Sequence, residues 1–209
     1  MNLLTRVKQI AILTTIIILS GCATAYHPIN PPSLRNYDSH SSQDNIEFSY
    51  KYDVLRENGN RKYAKKEDLT DIKLIAIKIT NNTDSIINLS KNISFYSNQD
   101  IIIPINPSVI THSIKQGVPG YLFYLLLSFV NLQVRNGYNV SIYPIGLIIG
   151  PATTLINMLT ASDANKKMSD ELYKYNILNK DIKKGETVYG LIGFQNLGYK
   201  SISIKKNNK

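Results

Sequence analysis

From Gln116 to Ser162 the only charged side chain is Arg135. A stretch of that length and polarity has to bury itself, meet a partner or enter a lipid phase. It is also broken into pieces. Ser108 is placed to cap a short helix with Val109, Ile110, Ser113 and Ile114 on one face, ending at Gly117. After Pro119-Gly120, residues 121–132 read as an almost wholly apolar helix. At ~1.5 Å per residue it would be under ~20 Å long, against a hydrocarbon core of ~30 Å. Pro144, Gly146, Gly150 and Pro151 interrupt the next apolar run, and the Gly146/Gly150 spacing is that of a helix-dimer face in a membrane span. Pro151 suits the first turn of a longer helix to about Tyr175, with Leu155, Met158, Ala161, Ala164, Met168, Leu172 and Tyr175 as its buried face. Asp163/Lys167 and Asp170/Lys174 are i,i+4 pairs on its wetter flank. Three readings stay open for 118–160: a helical layer packed on the sandwich and filling its own core, an exposed groove or patch for a protein or lipid partner, or a hairpin in the bilayer. The contact-surface candidates are Tyr121, Phe123, Tyr124, Phe129 and Tyr143. The bilayer hairpin has arms that are too short or too broken.

On either side of this insert the pattern changes to period two. Ile46, Phe48, Tyr50, Tyr52 and Val54 alternate with Glu47, Ser49, Lys51 and Asp53, which predicts a strand with one buried face. Asn58-Gly59 opens a turn, and the charged run through Asp71 reads as a loop. Residues 72–80 are apolar on both faces at their centre, as in an interior strand. Asn81-Asn82-Thr83-Asp84 turns the chain, and 86–89, 93–96 and 101–105 give three more short strands.

The N-terminal residues are organised for export. Arg6 and Lys8 precede an uncharged apolar run, Ile10 to Leu19, too short for a spanning helix of ~20 residues. The run ends in Leu19-Ser20-Gly21-Cys22, and Cys22 is the only cysteine in the chain. Residues 22–44 carry Pro28, Pro31 and Pro32 among Ser, Asn and His, the composition of a flexible tether. His27 and His40 fall in that segment and read as solvent-exposed.

Leu19-Ser20-Gly21-Cys22 resembles the lipobox of bacterial lipoproteins. The resemblance implies a cleaved signal peptide (1–21) and a diacylglyceryl group, usually with a further N-acyl chain such as palmitate, on Cys22. Two or more chains give stable membrane attachment, where one gives only a marginal hold. Ala23 is not the Asp of the inner-membrane retention signal, and the acidic cluster of surface export is missing, so the expected place is the outer membrane, facing the periplasm. The segments "LIAIKITNNTDSIINLS" and "IKKGETVYGLIGFQNLGYKSISIKK" are similar to immunoglobulin-like domains of bacterial lipoproteins, over residues 45–105 and 178–206. There a strand ending in an Asn-rich turn is followed by a Gly-Glu-Thr-Val-type entry into a closing hairpin. The whole chain looks like uncharacterised Bacteroidota lipoproteins carrying this apolar insert. Asp84-Ser85-Ile86 matches the short O-glycosylation pattern of that group, with Ser85 as acceptor.

The expected fold class is α+β: an immunoglobulin-like antiparallel β-sandwich over 45–209 with an inserted apolar helical segment, 107–176. The chain has 24 basic and 15 acidic residues; losing 1–21 removes Arg6 and Lys8 and no acid, so the net charge falls from +9 to +7. The basic residues are scattered lysines, without the arginine-and-aromatic pattern of a nucleic-acid reader. No Gly-x-Ser-x-Gly elbow, phosphate loop or zinc spacing is present, and His112 stands alone in the 45–209 domain. With Cys22 lipidated, no thiol remains for a metal or a nucleophile. No catalytic residue, metal or cofactor is therefore expected. The expected function is that of a membrane-anchored envelope module acting by contact, through 118–160, with an envelope protein. A carrier of lipid or another small apolar ligand is the alternative, and an envelope-polymer hydrolase a second.

Overall fold

The computed structural model describes residues 21–37 and 39–207. The export segment and the first two residues of Leu19-Ser20-Gly21-Cys22 lie outside the described residues. The chain divides into two compact units. One is Gly117–Asp163 with the described residues up to Ala25; the other is Tyr26–Gln116 with the chain from Ala164 onward.

The larger unit is built on an antiparallel sheet. Strands β1 (Ser39–Gln43) and β2 (Ile46–Lys51) form a hairpin whose two turn residues, Asp44 and Asn45, both take positive φ. That is the primed turn that matches the natural twist of paired strands. Two helices come next, α1 (Val54–Glu57) and α2 (Arg61–Leu69), and then β3 (Ile72–Asn81), which pairs with β2. Short β4 (Ile87–Asn88) and helix α3 (Leu89–Asn92) lead into β5 (Ile93–Ser97) and β6 (Asp100–Ile102), then α4 (Pro107–Ile114). In the other unit, a 3-10 segment (Val118–Phe129) precedes the hairpin β7 (Leu132–Asn136) and β8 (Asn139–Tyr143). Helix α5 (Gly146–Lys174) begins in that unit and ends in the larger one. The chain closes with β9 (Asp181–Ile182), β10 (Thr187–Gln195) and β11 (Ile202–Lys206).

The sheet orders are β1-β2-β3-β10 and β11-β5-β6, with β4-β9 and β7-β8 as separate pairs. The fold is thus α+β with antiparallel sheets. Alternation on β3 explains its two apolar faces. Ile75, Ile77 and Ile79 enter one core with Phe48, Ile192 and Phe194, and with Phe95 and Ile204 of the three-stranded sheet. Phe95 touches both Phe48 and Phe194 edge-on, with centroids 6.1 and 5.5 Å apart, so one aromatic cluster joins the two sheets. Leu74 and Ala76 point the other way, into a second core with Val54, Tyr63, Ile110, Met168 and Leu172 of the helices.

Several expectations change here. The charged run through Asp71 is not a loop but α1 and α2; α2 buries Tyr63, Ala64 and Glu67 on one stripe. The alternation that began at Ile46 stops at Lys51, because Asp53 takes a left-handed φ of 53° and Val54 opens α1. The closing hairpin of the resemblance does not form: β10 pairs with β3 and β11 with β5, in different sheets. Asn106, not Ser108, caps α4, its side chain accepting from the Ser108 N–H. Residues 118–129 form a 3-10 segment, and α5 starts at Gly146 with Pro151 inside it. Met168 and Leu172 are buried as expected, Leu155 is exposed, and Lys166 pairs with Asp170 on the α5 flank.

The 22–44 segment is not the flexible tether its composition suggested. Tyr26 and Ile29 are buried in the helix-side core, and residues 39–43 form a strand. Glu171, near the end of α5, accepts from the Tyr26 hydroxyl (2.6 Å), the Ile29 N–H (3.0 Å) and the Asn30 N–H (2.8 Å). A side chain far along the chain fixes this segment, so local composition could not reveal it.

Candidate functional site

The Gly117–Asp163 unit holds all five residues expected to make contact, and the same unit holds Cys22. Cys22 is partly exposed. The next residue is fastened: the Ala23 N–H donates to Asn157 Oδ1 on α5 at 2.6 Å. Tyr121 and Tyr124 stack with centroids 6.3 Å apart and planes 7° from parallel. Burial, and then the adjacent Cys22, pushes both hydroxyls above their ordinary value. The sulfur expected to carry the lipid thus lies against two tyrosines.

Phe123, Phe129 and Tyr143 are exposed, the two phenylalanines by 77% and 80%. Tyr124 is half-buried. Tyr121 is a correction: it is buried and packs, so it is not part of an outer surface. Leu126, Ile142, Ile148, Ile156 and Leu159 are exposed as well, and none of them was singled out by the sequence. The first of the three readings of 118–160, a segment filling its own core, does not describe side chains that stand this far outside. Among the described residues no helix is long and apolar enough to cross a membrane.

What α5 turns inside the unit is small or polar. A Cβ on Gly146 would meet the backbone oxygens of Leu127, Ser128 and Val130, and one on Gly150 would meet Ser128. The glycines allow α5 to lie directly on the 3-10 segment, as small residues do at close helix contacts. The Gly146 N–H donates to the Val130 carbonyl at 2.8 Å. Buried Thr154 donates to the Gly150 carbonyl and Asn157 to the Thr153 carbonyl within the helix, while Asn157 Oδ1 takes the Ala23 N–H.

Two recesses of the larger unit bear on the carrier and hydrolase alternatives. One, of about 270 Å³, is apolar and lined by Leu89, Ile93, Phe95, Ile102 and Leu178. It falls just below the ~300–1,000 Å³ of ordinary ligand pockets. The other, of about 540 Å³, is polar and gathers Glu67, Asp68, Asp71, Lys73 and Tyr199. There Asp68 binds Lys73 at 2.9 Å and Arg56 at 2.7 Å, and the Lys73 bond above all holds its carboxyl below the usual range. Tyr199 donates to Asp53 at 2.7 Å, and Lys73 lies 4.6 Å over its ring. Burial pushes Glu67 up to about 7. Its Oε1 accepts from the Leu74 N–H at 2.7 Å, which ties α2 to β3 and commits that oxygen to the fold. Asp68 is thus paired with both Lys73 and Arg56, and His112 is exposed on α4 beside Lys115. Among the described residues no three of His, Cys, Asp and Glu stand close enough to hold a metal ion.

Ser85 is exposed at the turn after β3. Asn81 builds that turn: its Nδ2 donates to the Ser85 and Ile182 carbonyls, and its Oδ1 accepts from Thr83. Asp84 pairs with Lys184. Local pattern singled out Cys22, Ser85 and the aromatics of 118–160 but not Glu171, Glu67 and Asn157, whose side chains hold backbone. Buried polar residues that hold backbone leave no mark in an apolar pattern. No protein-family model, curated protein or solved structure matches the chain.

Proposed function

We propose that this chain is a lipoprotein of the cell envelope, exported by residues 1–21 and held in the outer membrane, facing the periplasm, by lipid on Cys22. In this reading it is an interaction or structural module that works by contact and not by catalysis, and its contact surface lies within 118–160. The observation that carries the proposal is the placement of Cys22 in the same unit as the exposed apolar side chains of that segment. Exposed apolar groups on this scale mark a contact, because water-soluble monomers keep such patches small. The carrier alternative would rest on the apolar 270 Å³ recess, which falls just below the ~300–1,000 Å³ of ordinary ligand pockets. The polar recess offers a hydrolase chiefly charges that are already paired.

For the larger unit the finer architecture we propose is an immunoglobulin-like sandwich. Two antiparallel sheets sharing an aromatic core support it, and the division of β10 and β11 between sheets is a departure from the resemblance. The exposed Ser85 turn suits an O-linked glycan.

The test is metabolic labelling with radioactive palmitate. The full chain is expected to take up label and to shorten by the signal peptide, and Cys22→Ser is expected to do neither. Uptake of label by Cys22→Ser would end the lipoprotein reading.

A further inference from the structure

Helix α5 is inverted over its first half. Its buried positions there are Gly146, Gly150, Thr154, Asn157 and Ala161, at steps of three and four. Its exposed positions include Leu147, Ile148, Leu155, Ile156 and Leu159, each large and apolar. Beyond Ala161 the same helix is ordinary. Ala164, Met168 and Leu172 are buried, while Lys166, Lys167 and Asp170 are exposed. A helix in water buries its large apolar side chains and exposes its polar ones. One helix that reverses this rule part-way along has two different surroundings.

We propose that the Gly117–Asp163 unit is seated in the acyl region of one lipid leaflet, with the large side chains of α5 before Ala161 and of the β7–β8 hairpin against lipid tails. This rests on the lipoprotein reading, and it names what the contact surface touches. Cys22 supplies the continuity, because acyl chains on its sulfur would leave from this same unit. The small and polar inward face is what a lipid-exposed helix needs: close backbone approach at Gly146 and Gly150, with Thr154 and Asn157 bonded inside the protein.

A bilayer fits better than a protein partner because of the hairpin. In β7 and β8, Leu132, Val134 and Tyr143 face one side, and Val140 and Ile142 the other, opposite Arg135 and Gln133, and all are exposed. A protein surface laid on one side would leave the other in water, whereas lipid surrounds both. The same hairpin limits the depth. Among the described residues its outer strand edges have no partner strand, and unpaired backbone groups are costly in hydrocarbon. Tyr138 at its exposed tip and Arg135 beside it suit the headgroup level. The seat is a shallow one in a single leaflet, within the ~5–10 Å typical of interfacial elements.

The experiment uses the full-length chain with its own lipid, reconstituted into vesicles of phosphatidylethanolamine and phosphatidylglycerol. Nitroxide labels are placed one at a time through Ile148→Cys, Leu155→Cys, Leu159→Cys, Lys166→Cys and Tyr173→Cys, all at exposed positions. Collision with oxygen, which concentrates in lipid, is compared with collision with a water-soluble nickel chelate. Oxygen is expected to win at 148, 155 and 159 and the chelate at 166 and 173, so the depth parameter changes sign along one helix. Chelate access at 148, 155 and 159 would overturn the lipid seat. So would protection from both reagents there, which would mean a second copy or another protein covers the helix. Mass spectrometry of the same samples reports lipid on Cys22 separately. An unmodified Cys22 sinks the lipoprotein reading, and the depth profile still decides the seat.

Discussion

Glu171→Ala tests how the segment that follows Cys22 is held. The Glu171 side chain is nearly buried, and its carboxylate takes the Tyr26 hydroxyl at 2.6 Å, the Ile29 N–H at 3.0 Å and the Asn30 N–H at 2.8 Å. Ile29 is 1% exposed, so once the carboxylate is gone its N–H finds neither a protein acceptor nor bulk water. A hydrogen bond to a charged acceptor contributes about 1.5–3 kcal/mol, and an orphaned buried donor costs about 1–3 kcal/mol. The three bonds share one acceptor and do not add. Relief of the buried charge runs the other way. The expected loss is about 3–4 kcal/mol, a large share of the ~5–15 kcal/mol that holds a typical domain. Glu171→Gln turns one accepting oxygen into a donor facing a donor and should lose about 1–2 kcal/mol. Tyr26→Phe removes one of the three donors and should lose about 1 kcal/mol.

Urea titration of the detergent-solubilised full chain, followed by circular dichroism, gives the three midpoints. Limited proteolysis at Arg35 reports whether the segment has come away. The expected order of stability is wild type, Tyr26→Phe, Glu171→Gln, Glu171→Ala, with early cleavage at Arg35 in the last. A Glu171→Ala midpoint equal to that of Tyr26→Phe, with Arg35 still protected, would contradict a role for the carboxylate. The 22–44 segment would then be held by Tyr26 and Ile29 packing alone.

Two further outcomes rest on single positions. Burial raises the Glu67 carboxyl from 4.5 to about 7, so the folded chain keeps a proton there that the unfolded chain gives up above about 4.5. Its stabilising contribution is complete below that pH, falls as pH rises and is gone above about 7, a span on the order of 3 kcal/mol. Glu67→Gln keeps an acceptor for the Leu74 N–H, so it should flatten the stability profile between pH 5 and pH 8; parallel profiles in urea would contradict this. A Cβ on Gly150 would run into Ser128 Oγ and lie 2.7 Å from the Ser128 backbone N. Gly150→Val should therefore force the 3-10 segment off α5 at a cost of about 1–3 kcal/mol, read as faster amide exchange over 118–130 with β3 unchanged.

The strands were legible where one physical rule decided them. Ile46, Phe48 and Tyr50 are buried on β2 as their alternation required, and β3, apolar on both faces, is an interior strand between two cores. Short-range pattern failed where a distant or polar group decided the outcome. Helix α2 has only Tyr63 and Ala64 as inward apolar residues; its third inward residue is Glu67, which an apolar pattern counts as solvent. Residues 22–44 look like tether because the side chain that fastens them is Glu171, on a helix more than a hundred residues later. The Gly-Glu-Thr-Val entry does lead into a strand, β10. Its Val188, Ile192 and Phe194 enter one core and Leu191 the other, which suits pairing beside β3 and leaves β11 to pair elsewhere.

Helix α5 failed for a different reason. Reading a helix face from sequence assumes that water lies outside, so the most apolar row at three- and four-residue steps is taken as the inner one. For Ala161, Ala164, Met168 and Leu172 that choice is right. Carried back toward the N-terminus it selected Leu155, whereas the buried row passes through Asn157, Thr154 and Gly150, with Leu155 outside. The step at Thr154–Leu155 is a single residue, about 100° on the helix surface. It turns the large side chains outward. Nothing in the spacing could signal that turn, because both rows keep the same period. The signal lay in the residue types: two glycines, a threonine and an asparagine in line at steps of four and three. In water such a row is a weak face. Against the lipid phase we propose, it is the row that lets the backbone pack and bonds its own polar groups, so the proposal rests on the composition of the inner row more than on the richness of the outer one.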